Sequence, residues 1–180
     1  MRQLRGFIKN RPGGSYLHVY NHTVVMENDK YPLGEIEKTK LFNTFKRYLP
    51  KYNIKLISLV VLDNHFHTLV YCPAEKLSQH DAWKAYNKFH NTGKYKVPLN
   101  DKRINAVVEH SNNISELMRE VQREFSVWFN QTRHYKRRGA LWEDRFKSQL
   151  IESSAYLWGC LKYIEMNPVR ANIVENAEDY

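Results

Sequence analysis

Ile54-Lys55-Leu56-Ile57-Ser58-Leu59-Val60-Val61-Leu62-Asp63-Asn64-His65-Phe66-His67-Thr68-Leu69-Val70-Tyr71-Cys72 is the stretch that decides the fold. Residues 54–62 form a strongly apolar run, which reads as a buried strand. Asp63-Asn64 is a turn signal, since short polar side chains bond back to their own backbone. Residues 65–72 then read as a second strand, so the two should pair as a hairpin. His65 and His67 stand two apart on that second strand. Side chains at this spacing point to the same face, and Phe66 points the other way.

Upstream of the hairpin, residues 16–26 are rich in β-branched and aromatic side chains and read as a strand. Asn28-Asp29-Lys30 is a turn. Residues 34–52 carry Ile36, Leu41, Phe42, Phe45 and Leu49 at mostly helical spacing, which predicts an amphipathic helix. Downstream, residues 113–131 place Ile114, Leu117, Val121, Phe125, Trp128 and Phe129 on one helical stripe, with Asn112 or Asn113 as the cap. Residues 145–152 read as a fourth strand. Ser153 caps a last helix running to about Met166, and Pro168 stops it, because the residue before proline avoids the α region. The order β-α-β-β-α-β plus a C-terminal helix predicts an α+β, ferredoxin-like split-βαβ fold. Its four-stranded antiparallel sheet would carry both crossover helices on one face.

The chain of 180 residues suits one domain spanning 1–180, large enough for a core without disulfides. Residues 1–13 are a basic arm ending in Arg11-Pro12-Gly13-Gly14. Residues 73–112 are polar and rich in turn formers. They read as a mobile insertion between core elements, with a short helix over 81–90. The cysteines are Cys72 and Cys160, with no Cys-x-x-Cys, which argues against a disulfide framework and a cysteine-based zinc site. No signal peptide and no membrane-length apolar run is present, so a reducing cytoplasm is expected and no membrane partner.

Lys and Arg number 28 against 19 Asp and Glu, a formal charge of +9. That balance suits a polyanion, most often nucleic acid. The charge is clustered in Arg133-His134-Tyr135-Lys136-Arg137-Arg138 and in Arg2, Arg5, Lys9 and Arg11. Arg133, Lys136, Arg137 and Arg138 would grip phosphate, which positions DNA without reading its sequence. Twelve Tyr and four Trp offer flat surfaces on which unpaired bases can stack.

Two imidazoles on one strand face can hold one divalent cation. The other histidines read as structural or surface groups, although His18 and His22 on the first strand could come near the site. A second stretch, Tyr163-Ile164-Glu165-Met166-Asn167-Pro168-Val169-Arg170, sets Tyr163 and Asn167 one helical turn apart, about 6 Å along the axis. Phenols are poor nucleophiles near neutral pH, and a cation that polarises a phosphate lowers the barrier instead. Tyrosine suits strand transfer, because a phosphotyrosine link preserves the energy of the broken phosphodiester. Asn167 offers a neutral carbonyl oxygen of the kind Mg²⁺ and Mn²⁺ accept. It equally suits a helix C-cap before proline.

These residues carry a resemblance. Val60-Val61-Leu62-Asp63-Asn64-His65-Phe66-His67 resembles the HUH motif of single-tyrosine transposases, U being a bulky apolar residue. Leu141-Trp142-Glu143-Asp144-Arg145-Phe146-Lys147-Ser148 resembles the Leu-Trp-Glu-x-Arg-(aromatic)-Lys/Arg-Ser segment of REP-associated tyrosine transposases. Residues 163–171 are similar to that family's C-terminal signature, and the three motifs occur in the family's order. The resemblance covers roughly residues 14–180. It implies a Mg²⁺ or Mn²⁺ ion, binding of an imperfect DNA hairpin, and cleavage of flanking single-stranded DNA by tyrosine, with the 5′ end of the cut strand joined to the enzyme. By position, His65, His67 and Asn167 would be metal ligands and Tyr163 the nucleophile. Arg145 and Lys147 would contact DNA, and Glu143 and Asp144 would support the site. The family works as monomer or homodimer. Two departures are the length of 73–112 and the ending Glu178-Asp179-Tyr180, which resembles the start of a segment that normally continues and so implies a truncated chain.

Two other readings fit. A replication-initiator or relaxase-like HUH nuclease would show further ligands and often a second tyrosine, and Tyr156 lies seven residues before Tyr163. A non-catalytic single-stranded nucleic-acid-binding module, with aromatics on a basic sheet, would leave no covalent adduct.

Overall fold

The computed structural model describes residues 12–24, 32–133 and 139–180. Chain order is β1 (Ser15–His22), α1 (Glu35–Tyr48), a 3-10 turn (Leu49–Tyr52), β2 (Lys55–Val61), β3 (His65–Cys72), α2 (Gln79–Phe89), α3 (Lys102–His110), α4 (Ile114–Thr132), β4 (Lys147–Ile151), α5 (Ser154–Glu165) and α6 (Asn167–Arg170). The sheet order is β2-β3-β1-β4, and every neighbouring pair is antiparallel. This is the ferredoxin-like arrangement expected from the element order.

Period-two alternation sorts each strand between two faces. Leu17, Val19, Phe66 and Val70 pack one face against Phe45 of α1 and Leu117, Val121 and Phe125 of α4. The opposite face is covered over part of its area by α5, where Leu69, Val60 and Ile151 meet Cys160 and Ile164. The rest of that face, carrying His18, Tyr20, His65 and His67, lines a cleft with Tyr156, Gly159 and Tyr163 of α5.

β3 has the predicted bounds. β1 ends at His22, short of Met26, and Thr23 forms an isolated bridge with Trp142. The turn expected at 28–30 falls outside the described residues. The first helix stops at Tyr48, because Pro50 opens a 3-10 turn and Asn53 then takes a left-handed conformation at φ 53°. Asn113, not Asn112, caps α4, its Oδ1 accepting from the Ser115 and Glu116 N–H groups.

Residues 73–112 differ most from expectation. They contain two helices, not one short helix in a loop. Ser78 caps α2 by accepting from Asp81 N–H, and Asp101 caps α3 by accepting from Arg103 N–H. Ala82 and Tyr86 of α2 pack on Ile104 and Val107 of α3 to make a separate apolar cluster. The insertion thus buries its own apolar stripe, which a structureless loop would not. No helix of the described residues is long and apolar enough to cross a membrane.

Candidate nuclease site

The hairpin turn that leads into His65 is tied down from three directions. Thr23 N–H and its hydroxyl both donate to Asn64 O, at 2.8 and 3.0 Å. Leu33 N–H donates to Asp63 O at 2.9 Å, and Lys38 Nζ pairs with the Asp63 carboxylate at 3.0 Å. Backbone held this way presents His65 and His67 in a fixed orientation.

Both imidazoles are hydrogen-bonded through Nδ1. His65 Nδ1 lies 2.7 Å from Asn64 Oδ1, an acceptor, so Nδ1 carries the proton and Nε2 keeps its lone pair. His67 Nδ1 lies 3.0 Å from His18 Nε2. Burial lowers the His18 imidazole to about 4. Burial, with nearby His22, holds His65 near 4, although Asp63 pulls it upward. Burial, then His18, His65 and His22, lowers His67 to about 3. All three rings are therefore neutral near pH 7, the state a metal ligand requires.

Tyr163 of α5 closes the group. Its ring stands edge-on to His67 at 5.4 Å and to His18 at 6.0 Å between centroids. The Arg170 guanidinium lies 5.3 Å over the same ring. His18, Tyr20, His22, His65, His67, Gln149, Tyr156, Gly159, Cys160 and Tyr163 line one open cleft of about 590 Å³. His65, His67 and Tyr163, about a hundred residues apart in the chain, thus line one cleft. His18 and His22 join them from β1, although the sequence alone favours a structural or surface role for both.

Asn167 stands differently. The helix ladder pauses at Met166 (φ −84°, ψ −1°), which caps α5, and Asn167 opens α6. The shared helix and the C-cap role both give way to this break. The Asn167 side chain is buried, its Nδ2 has no hydrogen-bond partner among the described residues, and the residue is not among those lining the cleft.

The middle motif divides between core and surface. Leu141 and Phe146 are buried in the main core, and Trp142 packs edge-on to Phe66. Glu143, Asp144, Arg145 and Lys147 are exposed. Their backbone braces β1: Glu143 N–H donates to His22 O at 3.0 Å, and Asn21 Nδ2 donates to Asp144 O at 2.9 Å. Lys147 lies 5.9 Å over the Tyr20 ring at the cleft. Arg133 is engaged inside the protein, donating to Pro32 O at 2.8 Å, pairing with Glu37 at 3.3 Å and stacking on Phe129. Lys136, Arg137 and Arg138 lie outside the described residues.

The resemblance implies a divalent cation, and the donor set fits one in part. His65 offers a free Nε2, and His67 offers one in the tautomer that donates to His18. Among the described residues no group of three or more His, Cys, Asp and Glu is disposed to hold a metal ion. A cation here would draw its other ligands from amides, water or substrate phosphate.

The chain is similar to a solved REP-associated tyrosine transposase bound to a REP hairpin, at TM-score 0.61 and 16% identity, covering 100% of this chain and 80% of that one. It is also matched with a Deinococcus radiodurans R1 protein provisionally assigned as a transposase, at TM-score 0.43 and 16% identity, covering 92% of this chain and 96% of that one. No family model and no curated protein matches the chain. The first likeness shows a common fold, and it falls on the same family that the sequence motifs resemble.

Proposed function

We propose that this chain is a single-tyrosine HUH transposase, a cytoplasmic DNA endonuclease that binds hairpin-forming single-stranded DNA and cleaves and rejoins it through a 5′-phosphotyrosine link. The observation that carries the reading is the Tyr163 ring standing 5.4 Å from His67 in the cleft that His65 also lines. The hairpin-bound neighbour of the same fold supports hairpin DNA as the substrate class.

In this reading the Tyr163 oxygen forms a bond to phosphorus as the bond from phosphorus to the 3′ oxygen breaks. The phenolic proton is balanced by the proton gained at the departing 3′ hydroxyl. Arg170, over the Tyr163 ring, favours negative charge developing on the phenol. His65 and His67 would hold Mg²⁺ or Mn²⁺, which when bound supplies a Lewis acid to the phosphate, and Asn167, buried outside the cleft lining, would join them as third ligand only by turning its side chain toward the cleft. Asn64 and His18 orient the two imidazoles. The fixed hairpin turn keeps that geometry before substrate arrives.

Tyr156 lines the same cleft, which keeps the two-tyrosine initiator reading in view. Of these two helix tyrosines, Tyr163 makes ring contacts with His18 and His67. Incubating the protein with a labelled hairpin oligonucleotide and Mn²⁺, followed by denaturing electrophoresis and mass spectrometry, tests both. A DNA–peptide adduct containing residue 163 is expected, lost in Tyr163→Phe and kept in Tyr156→Phe. Binding without any adduct would make the chain a non-catalytic nucleic-acid-binding module.

A further inference from the structure

Gly159 sits in the interior of α5, where glycine weakens a helix relative to alanine. The protein itself does not require it. Among the described residues, a Cβ added at Gly159 meets nothing within 4 Å, whereas one added at Gly14 would lie 2.6 Å from Cys72 O. Packing explains the second glycine and leaves the first unexplained. Gly159 also lines the cleft, between Tyr156 and Tyr163 on one face of the helix. At 1.5 Å per residue these two tyrosines are roughly 10 Å apart along the axis, so the glycine forms a notch between two rings. Both rings are partly exposed, at 39% and 38%. Across the cleft stands Gln149 of β4, whose amide carries donors and an acceptor.

Among the described residues, the cleft lining has no Lys, Arg, Asp or Glu, and the cations beside it, Arg170 and Lys147, stand over the Tyr163 and Tyr20 rings rather than over Tyr156. The part lined by Tyr156, Gly159 and Gln149 suits a flat, uncharged, polar-edged group, while Arg170 over Tyr163 suits the phosphate. We infer that the notch at Gly159 is a subsite for an unpaired nucleobase of single-stranded DNA beside the reacting phosphate. The base stacks on the Tyr156 ring, approaches the α5 backbone where no Cβ intervenes, and turns its edge to Gln149. A Cβ at this position would hold the base off the helix. This subsite rests on the reading of Tyr163 as nucleophile, which places the phosphate at the adjoining end of the cleft.

Affinity for a hairpin with a single-stranded flank, measured without metal, tests the subsite in wild type, Gly159→Ala and Gly159→Leu. The oligonucleotide is used intact and with one abasic position at a time along the flank. One abasic position is expected to weaken wild-type binding roughly tenfold or more, the scale of one lost base stack. Gly159→Leu should show the same loss on the intact strand and no further loss at that abasic position. Gly159→Ala should raise Tm by about 2–4 °C, as a helix interior gains alanine, while weakening DNA binding. That combination also serves if the leucine variant folds poorly. Equal affinity of all three proteins for the intact strand would overturn the subsite. So would a leucine variant that changes only its sedimenting mass, which would make Gly159 a contact between copies of the chain. An abasic response without any Mn²⁺-dependent adduct would support the notch while sinking the nucleophile. An adduct that forms equally in wild type and Gly159→Leu, with no abasic response, would sink the notch alone.

Discussion

His18 Nε2 and His67 Nδ1 are 3.0 Å apart, an imidazole–imidazole hydrogen bond buried between β1 and β3. Only one proton can lie between them, so this contact selects a tautomer of His67. If His67 Nδ1 donates, its Nε2 lone pair is free for a cation. His18 is then a positioning residue for the metal site. His18→Gln keeps an acceptor and should retain Mn²⁺ affinity, whereas His18→Leu should weaken it by about 10–100-fold. Cleavage by the leucine variant should recover at saturating Mn²⁺, because Tyr163 is untouched. Calorimetric titration checks the affinities, and an unchanged value in His18→Leu would leave His18 with packing alone.

Arg133 and its neighbours in the basic block should behave differently. Arg133→Gln loses an ion pair with Glu37, a bond to Pro32 O and a stack on Phe129. It should lower Tm and leave the salt dependence of DNA binding nearly unchanged. Neutralising Lys136, Arg137 and Arg138 should weaken binding to all sequences alike. Each lost phosphate contact should flatten the log–log salt slope by roughly 0.7 on single strands and 0.9 on duplex. Loss confined to one hairpin sequence would mean that these side chains read bases.

The hairpin and its two histidines were legible because strand alternation and a polar turn are local signals. His65–Cys72 needed no tertiary information to locate. α3 was missed because nine residues give an apolar stripe of only Ile104, Val107 and Val108, too short to separate from a polar loop, although Asp101 is a fair cap. Asn64 was read as a turn former, and its bond to His65 depends on side-chain geometry that spacing does not encode. Gln149 and Gly159 reach the cleft through the pairing of β4 with β1 and the seating of α5 on the sheet. Both are set by packing across the whole chain. The break at Met166 was foreshadowed by Pro168, but the resumption of helix at Asn167 was not, because Pro also suits a helix's first turn.

Cys72 gives a prediction independent of DNA. Burial pushes its thiol up to about 12, well above an ordinary cysteine. The folded state therefore keeps the proton where the unfolded chain releases it. This contribution to stability is complete below about pH 8.5 and declines as pH rises toward 12. Iodoacetamide at pH 9 should leave Cys72 unlabelled in the native protein and label it on addition of denaturant, read by peptide mass spectrometry. Rapid native labelling would show that β3 opens locally at its end.

Asn167 separates a ligand from a structural residue most sharply. Its Nδ2 is buried without a partner among the described residues, a situation that costs stability unless something else satisfies the amide. If Asn167 is purely structural, Asn167→Ala removes the orphaned group and should change stability by no more than about 1 kcal/mol in either direction. Cleavage should then proceed at the wild-type rate at every Mn²⁺ concentration. If the side-chain oxygen binds the cation, Asn167→Ala should slow single-turnover cleavage severely while Tyr163 remains in place. Asn167→Asp should retain more activity than Ala and bind Mn²⁺ more tightly, because a carboxylate is a stronger hard ligand. Single-turnover rates against Mn²⁺ concentration, with thermal melts of both variants, decide between them. Matching rates for Ala and wild type across the titration would remove Asn167 from the ligand set and leave His65 and His67 to share the cation with water and DNA.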